Sequence, residues 1–521
     1  MAPHPWAHDW GPSSTMRNAR GSSDAGNAPD GAPGWRDGPG MLLIAAILAL
    51  TVLHALVAAG TGLTEDEAYY RLWALAPAMS YLDHPPMVGW MIAAGRFVAG
   101  DNPFGIRLLA VLTSLIGPFV LWRTADILFG PVIARRAVWF TLAMPLLAVG
   151  SVIITPDTPS VLFWGLTGWA VAELHVSRRA NWWLAVGLFA GLGLLSKYTN
   201  LFVGAGLLLW LALPSNWHWF RKWQLWAGGA IAVLLALPVV LWNVDHNWAS
   251  FAKQFGRVAA GSRVTGVYFL ELIGAYLGLA SPLIAALGLI GLWRVARSAV
   301  TEKDMARTLV AASMLPLLVY LLLHTTHDRV QANWLGPLYP AFALCAAIAV
   351  SEARSDAWQL PTKLTRWALA IGFLFCGVIY AHVIRPLPFL PLTKDPTSQT
   401  RGWSALAAET DRLRQANGAC WIATASYATT GQLAYELGTR TPVIQLDERL
   451  RYVHLPPVDD ALFKCPALYV ELERRAQPEM LAKRFRAVKP LGTIARRYGD
   501  KALASYAIYL LTDPIGRPLF D

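Results

Sequence analysis

The chain has 521 residues, of which 55% are hydrophobic and only 15% are charged, and it carries a formal net charge of +11. Soluble domains carry about 25% charged residues, so this balance excludes an ordinary soluble protein and indicates a membrane protein. The positive charge could suggest nucleic acid, but the basic residues lie in short clusters between apolar runs. Membrane topology explains them better, and no nucleic-acid partner is expected.

The first 40 residues are rich in Gly, Ser, Pro, Asn and Asp, and they lack the basic and apolar regions of a signal peptide. Such a composition cannot build a packed core, so residues 1–40 are expected to form a disordered cytoplasmic tail. Apolar runs long enough to cross about 30 Å of hydrocarbon follow, which predicts a mainly α-helical polytopic membrane domain over residues 41–384. About eleven spans are expected, at residues 41–60, 105–122, 137–154, 158–176, 182–195, 201–213, 226–242, 268–293, 309–324, 334–350 and 367–384.

The loops between these spans alternate in charge. The short loops on the side of the tail are basic, which satisfies the positive-inside rule and places this side in the cytoplasm. The opposite side receives the first extracytoplasmic loop, residues 61–104, and the later segments 155–157, 243–266 and 324–333. An odd number of spans also places everything after residue 384 outside the cytoplasm.

From residue 385 onward, short β-rich runs alternate with helical stretches, which predicts a small extracytoplasmic α/β domain over residues 385–521. Cys420 and Cys465 both begin predicted strands and could form a disulfide in an oxidising compartment. Two unpaired thiols at strand edges are the alternative. Cys345 and Cys376 fall inside apolar runs and are expected to be packing residues.

The loop after the first span concentrates three carboxylates in Thr64-Glu65-Asp66-Glu67-Ala68-Tyr69-Tyr70. Further along the same loop, Asp83-His84-Pro85-Pro86 adds a carboxylate, an imidazole and a rigid backbone. Acidic groups at a membrane boundary are disfavoured unless they bind a cation, pair with basic groups or act as bases. We therefore favour a functional site over a merely solvated acidic loop.

Other polar groups border apolar runs on the same side: Asp157, Lys197-Tyr198, Arg329 and Asn333. Lys197 is the most informative, because a lysine between two apolar segments is costly unless it meets an anion. Snorkelling of its side chain to the interface is the alternative. The loop from His324 to Asp328 has no regular ligand spacing, so we do not interpret it as a metal site.

A carboxylate base together with cationic groups at the depth of lipid headgroups fits transfer from a lipid phosphate. The sequence contains no P-loop, dinucleotide glycine motif or serine nucleophile elbow for a soluble nucleotide donor. A transporter or flippase is one alternative, but transporters often have repeated halves and midplane polar groups, and neither is found here. A scaffold that uses the acidic loop only to bind partners is another.

These residues resemble the GT-C glycosyltransferases of the dolichyl-phosphate-mannose protein mannosyltransferase type, family 39. That group includes bacterial transferases that modify lipid A with aminoarabinose or galacturonic acid. The resemblance is strongest over residues 64–90, and it continues through residues 155–157, 195–199 and 333–340. It therefore covers the whole predicted membrane domain.

The resemblance implies a GT-C fold in a bacterial inner membrane, with the active site and the C-terminal domain facing the periplasm among membrane lipids. It implies a polyprenyl-phosphate-sugar donor, a lipid, glycan or protein acceptor, and inversion at the anomeric carbon. Asp66 takes the position of the catalytic base, with Glu67 beside it. The remaining implied residues are Lys197 on the donor phosphate, Asp83 near that phosphate or a divalent metal ion, and the donor-side candidates Asp157, Tyr198, Arg329, Asn333, Tyr339 and His84.

One departure concerns the sugar. Aminoarabinose transferases carry Glu-Lys-Pro where this chain has Asp83-His84-Pro85. A second phosphate-binding lysine is therefore missing, and the aminoarabinose donor is not assumed.

Overall fold

Helices dominate the membrane part of the protein. The computed structural model describes residues 40–259, 265–352, 363–389 and 391–519, so the expected tail at residues 1–40 lies outside the described residues except for its last residue. The helices of this part are α1 Met41–Gly60, α2 Glu65–Leu75, α3 Met87–Ala99, α4 Pro103–Phe129, α5 Pro131–Leu142, α6 Pro145–Gly150, α7 Asp157–Ser177, α8 Trp182–Leu194, α9 Leu201–Leu211, α10 Trp223–Asp245, α11 Ala249–Ala259, α12 Val267–Leu279, α13 Pro282–Thr301, α14 Met305–His324, α15 Tyr339–Ser351 and α16 Lys363–Ile384.

Within the described residues, seven helices are long and apolar enough to cross a membrane, or eight if one bent pair is counted as a span. The expected count of eleven is not confirmed. Two of the predicted spans are broken where proline begins a new helix, at Pro145 and at Pro282, because proline cannot continue the hydrogen bonding of the preceding turn. Two others, α8 and α9, have 13 and 11 residues and reach only about 16–20 Å.

The core of the membrane part lies around α15. The candidate span Ala332–Ser351, which ends with α15, is 78% buried inside the protein over its most apolar window, far more than the other candidate spans. Close packing requires small residues: a Cβ on Gly291 of α13 would lie 1.9 Å from the carbonyl oxygen of Cys345 on α15. Glycine therefore lets the two helix backbones approach each other directly.

The C-terminal part is a small α/β domain, as the sequence predicts. One five-stranded sheet has the order β2-β1-β3-β5-β4, in which β2, β1 and β3 are parallel and β5 and β4 extend the sheet antiparallel. Cys420 and Cys465 form a disulfide with a Cα–Cα distance of 5.9 Å, so of the two alternatives left open by the sequence, the structure has the disulfide and not two unpaired thiols. The elements are α17 Trp403–Ala416, β1 Trp421–Thr424, α18 Tyr427–Leu437, β2 Val443–Gln445, β3 Ala467–Leu472, α19 Pro478–Ala482, β4 Phe485–Tyr498 and β5 Lys501–Pro514.

Helix α18 of this domain packs directly on α2 of the first loop. A Cβ on Gly431 would lie 2.7 Å from the backbone nitrogen of Tyr69, so the two helices touch backbone to backbone. Gln432 adds a hydrogen bond of 2.8 Å from its side-chain amide to the carbonyl oxygen of Leu63. The acidic loop is therefore held between the membrane helices and the C-terminal domain.

Candidate active site

The acidic segment begins a helix. Thr64 caps α2 by accepting a hydrogen bond from the backbone nitrogen of Glu67, and the Glu67 carboxylate accepts one in return from the backbone nitrogen of Thr64, at 2.9 Å. This capping box fixes the first turn of the helix. Neighbouring residues on a helix point about 100° apart, so Asp66 and Glu67 enter different surroundings.

Glu67 is fully buried and makes an ion pair with Arg107 of α4, whose side chain is 1% exposed. The two contacts measure 2.7 Å from Arg107 Nε and 2.6 Å from Arg107 Nη2. Glu67 also accepts a hydrogen bond of 3.0 Å from the backbone nitrogen of Ile154. Arg107 in turn donates to the carbonyl oxygens of Ala58 and Gly62. The pair therefore ties α1, α2, α4 and the segment before α7 together.

Asp66 is half-buried and lines a cavity in the membrane part. Burial raises the pKa of the Asp66 carboxyl, a hydrogen bond with Tyr427 at the start of α18 lowers it, and the charges of Glu67 and Asp83 raise it again. The net direction is upward, which makes Asp66 a stronger base than an ordinary aspartate.

The cavity that Asp66 lines has a volume of about 450 Å³. Asp157 and Asn333 line it as well, so three of the predicted site residues meet at one cavity. Most of the remaining lining is apolar and comes from the membrane helices, among them Leu121, Trp164, Leu207 and Leu344. The cavity therefore joins the polar side chains of Asp66, Asp157 and Asn333, which we call its polar end, to a mostly apolar lining.

Asp157, Lys197 and Asn333 form one hydrogen-bonded cluster. Lys197 Nζ lies 2.6 Å from Asp157 Oδ1, and Asn333 Nδ2 donates to Asp157 Oδ2 at 2.6 Å. The Lys197 side chain is only 9% exposed, and it does not line the cavity itself. The cost of a lysine at this depth is therefore offset by the Asp157 carboxylate, which does line the cavity.

Asp83 is buried and is held by cations. Its carboxylate pairs with Lys253 of α11 at 2.9 Å and with Arg451 of the C-terminal domain, and it accepts a hydrogen bond of 2.8 Å from the Tyr69 hydroxyl. Burial alone would raise the pKa of Asp83, but the Arg451 and Lys253 charges outweigh it and hold the pKa below its ordinary value. Asp83 therefore stays ionised beside Asp66 and links the loop to the C-terminal domain.

The expected metal ligand is Asp83, and its surroundings do not fit that role. Its carboxylate is already shared by Lys253 and Arg451, whereas a metal ligand offers its oxygens to the ion. Among the described residues, no group of three or more His, Cys, Asp or Glu side chains is placed to hold a metal ion. We therefore derive no step through a metal.

The other predicted donor-side residues lie outside the cavity lining. The Tyr198 hydroxyl is 2.8 Å from Ser250 Oγ, and the His84 ring lies edge-on to Tyr70 with a centroid distance of 6.3 Å. Tyr339 is fully buried at the start of α15. Arg329 is largely exposed and pairs with Glu271 at 2.6 Å.

Three residues of the site are not predicted from the sequence: Tyr427, Arg451 and Lys253. Tyr427 bonds Asp66, whereas Arg451 and Lys253 hold Asp83. Arg451 also lies over the rings of Tyr427 and Tyr69, at 5.1 and 5.8 Å from the ring centres. The only signal in the sequence is the cluster Arg449-Leu450-Arg451-Tyr452, and nothing in it points to a partner more than 360 residues away.

The chain is similar to one family model and to several sugar transferases. Residues 83–242 match the family model described as dolichyl-phosphate-mannose-protein mannosyltransferase. The lipid A galacturonosyltransferase RgtD of Rhizobium johnstonii is 29% identical over 286 residues, which cover 54% of this chain and 59% of that protein. An undecaprenyl phosphate-alpha-4-amino-4-deoxy-L-arabinose arabinosyl transferase of Pseudomonas aeruginosa is 33% identical over 184 residues, 31% of this chain and 30% of that protein.

The matched segments thus span between about a third and three fifths of these relatives. Among solved structures, ArnT from Cupriavidus metallidurans, crystallised with undecaprenyl phosphate, has a TM-score of 0.61 at 15% identity. That match covers 90% of this chain and 97% of the other. It shows that the chain has the GT-C fold. The resemblance found in the sequence and the predicted fold class are both confirmed.

Proposed function

We propose that this chain is a multi-pass membrane glycosyltransferase with Asp66 as its catalytic base. It moves a monosaccharide from a polyprenyl-phosphate donor to a hydroxyl group of an envelope lipid, glycan or protein. One observation carries the proposal: a half-buried carboxylate with a raised pKa lies at the polar end of a mostly apolar cavity. A polyprenyl chain fits apolar walls, and the phosphate and sugar fit the polar end. The names of the relatives, which specify sugar transfer, support the same class.

In the proposed reaction, Asp66 takes the proton of the acceptor hydroxyl while the acceptor oxygen forms a bond to the anomeric carbon of the donor. The bond between that carbon and the phosphate oxygen breaks, and polyprenyl phosphate leaves with the bonding electrons. The configuration at the anomeric carbon is inverted. Glu67 does not reach the cavity, and we assign it the role of a positioning residue that fixes α2 through Arg107.

We assign the donor phosphate to the cluster at the polar end of the cavity. Lys197 and Asn333 both contact Asp157, and a donor phosphate can replace that carboxylate as their acceptor. His84, Tyr198, Arg329 and Tyr339 are kept as donor-side residues on the family resemblance. For Arg329, the ion pair with Glu271 must open first.

We further propose that the protein lies in a bacterial inner membrane with the active site and the C-terminal domain facing the periplasm. The Cys420–Cys465 disulfide supports this side, because disulfides persist in oxidising compartments. The basic loops on the other side support it as well.

The test compares purified wild type with Asp66→Asn. Radiolabelled polyprenyl phosphates carrying galacturonic acid or 4-amino-4-deoxy-L-arabinose are incubated with membrane lipid extract. Asp328→Asn is the matched control, because Asp328 is 43% exposed and lies on the same side outside the cavity. We expect transfer by wild type and control, and a loss of about 10²–10⁴-fold in Asp66→Asn. Full activity of a folded Asp66→Asn protein overturns the base, and solute movement across proteoliposomes without sugar transfer favours a transporter.

A second variant tests the donor phosphate. Lys197→Ala should raise the KM for the donor by about 10-fold or more, since a charge-assisted hydrogen bond to phosphate is lost. The KM for the acceptor should stay the same. An unchanged donor KM contradicts the phosphate role of Lys197.

A further inference from the structure

A second pocket, of about 370 Å³, lies in the C-terminal domain at the carboxyl ends of the three parallel strands. Ser426 and Tyr427 follow β1, Asp447 follows β2, and Arg474 and Arg475 follow β3, and all five line the pocket. In open α/β sheets, ligands bind outside the carboxyl ends of the strands, where the strand order reverses. Here β1 lies between β2 and β3, which follow it in the chain on opposite sides. The pocket therefore lies where the strand order reverses.

The start of α18 also reaches this pocket, but a carboxylate of the protein already occupies it. The buried Glu471 accepts hydrogen bonds from the backbone nitrogen of Ala425 at 3.0 Å and from the Ser426 hydroxyl at 3.0 Å. It also accepts one from the Thr429 hydroxyl at 3.1 Å. The hydrogen-bond donors at the start of α18 thus already have an acceptor in Glu471. Recognition of a ligand in the pocket therefore depends on the side chains that line it.

The side chains around the pocket suit an anionic sugar. Arg474 and Arg475 are exposed, and among the described residues neither makes an ion pair or a side-chain hydrogen bond. Two available guanidinium groups match a phosphate or a carboxylate in two-pronged geometry. Asp447 also lines the pocket and offers a carboxylate to sugar hydroxyls.

The pocket adjoins the proposed base. Tyr427 lines the pocket and interacts with Asp66, which lines the apolar cavity. The Arg475 charge also acts to lower the pKa of Glu65, the residue before Asp66. The apolar cavity and the polar pocket therefore meet at the contact between Asp66 and Tyr427.

We infer that this pocket binds the acceptor, and that the acceptor carries a saccharide with a phosphate or carboxylate group near the hydroxyl to be modified. This inference rests on the proposed function. The donor occupies the apolar cavity, the acceptor's anionic group is held by Arg474 and Arg475, and the reacting hydroxyl reaches Asp66 beside Tyr427.

The experiment uses the full chain and the double variant Arg474→Gln/Arg475→Gln. The matched control is Arg486→Gln/Lys489→Gln, which removes the same charge from exposed positions on β4 of the same domain. In the transfer assay with membrane lipid extract, the double variant should raise the acceptor KM at least tenfold. The donor KM should be unchanged, and the control should match wild type. An acceptor KM equal to that of wild type overturns the inference.

Direct binding separates this inference from the proposed function. Glucosamine 1-phosphate, glucuronate and glucose are titrated into the protein, with saturation-transfer NMR as readout. Wild type should bind glucosamine 1-phosphate, glucuronate or both, and it should not bind glucose. Binding of the first indicates that the pocket recognises a phosphate, and binding of the second indicates a carboxylate. The double variant should bind none. If wild type does not transfer sugar, the proposed function is wrong. The binding titration then still tests whether the pocket binds an anionic sugar. Equal signals from wild type and double variant, or from glucose and the anionic sugars, overturn the inference.

Discussion

Substitutions of Glu67 and Asp66, the two neighbouring carboxylates of α2, should have opposite effects: the first should lower stability, and the second should lower sugar transfer. Glu67→Gln keeps the size of the side chain but replaces one carboxylate oxygen by an amide nitrogen, which donates instead of accepting. Four donors converge on Glu67: Nε and Nη2 of Arg107, and the backbone nitrogens of Thr64 and Ile154. Two of them therefore lose their acceptor, and the charge of Arg107 is left buried without a partner.

The magnitude follows from these contacts. Each buried donor without an acceptor costs about 1–3 kcal/mol, and breaking one partner of a buried ion pair costs about 3–5 kcal/mol. These figures describe the same loss and are not summed, so Glu67→Gln should destabilise the fold by about 3–5 kcal/mol. Set against a typical total stability of about 5–15 kcal/mol, this is a large fraction.

The assay measures thermal unfolding in detergent by tryptophan fluorescence, together with sugar transfer. Glu67→Gln should unfold at a clearly lower temperature, and transfer per folded molecule should stay well above that of Asp66→Asn. Asp66→Asn should unfold near the wild-type temperature, because burial already disfavours its charged form. If Glu67→Gln is as stable as wild type and as inactive as Asp66→Asn, Glu67 takes part in the chemistry and the positioning role is wrong.

Three further predictions concern the contact of the C-terminal domain with the site. Tyr427→Phe removes the hydrogen bond that lowers the pKa of Asp66, so that pKa rises further. The base works only when deprotonated, so activity is present above this pKa and lost below it. The acid limb of the pH profile of kcat/KM should therefore move to higher pH. Gly431→Ala forces a Cβ against the backbone of α2 and should cost about 1–3 kcal/mol, with a matching loss of transfer. Cys420→Ser with Cys465→Ser opens a loop of 45 residues and should lower the unfolding free energy by about 2–4 kcal/mol.

Each of these variants has a control. Tyr498→Phe removes a hydroxyl from a partly exposed tyrosine of β4 and should leave the pH profile unchanged. Gly377→Ala, in α16, places a Cβ where nothing lies within 4 Å and should leave unfolding unchanged. An acid limb that stays in place in Tyr427→Phe, or a Gly431→Ala protein as stable and active as wild type, contradicts the contact between α18 and α2. Reduction of the wild type should reproduce the effect of the double serine variant.

The sequence singles out the acidic loop but does not separate the surroundings of Asp66 and Glu67. They differ because α2 is a helix, and adjacent helical positions face different neighbours. The pattern Thr64-Glu65-Asp66-Glu67 is a capping-box pattern and would have predicted both the start of α2 and a structural role for Glu67. The start of α2 and the different surroundings of Asp66 and Glu67 could therefore have been predicted from the local sequence.

The cationic partners of Asp83 could not be predicted in the same way. Arg451 is separated from Asp83 by 368 positions, and no local pattern specifies which surface of a later domain folds back on an earlier loop. The count of eleven spans is not confirmed for a related reason. Hydropathy detects apolar runs, but it does not show that Pro145 and Pro282 divide two of them into separate helices.

The C-terminal domain contributes to the surroundings of Asp66, the proposed base. Tyr427 interacts with Asp66, and Arg451 neutralises the Asp83 charge that would otherwise raise the pKa of Asp66 still more. Burial is the largest cause of the raised pKa of Asp66, and α18 packs directly on the helix that carries it. Separating α18 from α2 would admit water to Asp66 and return it toward an ordinary aspartate, a weaker base at neutral pH. If Asp66 is the base, its strength therefore depends on a contact between two domains, and glycine at position 431 permits the close approach of α18 to α2 that this contact requires.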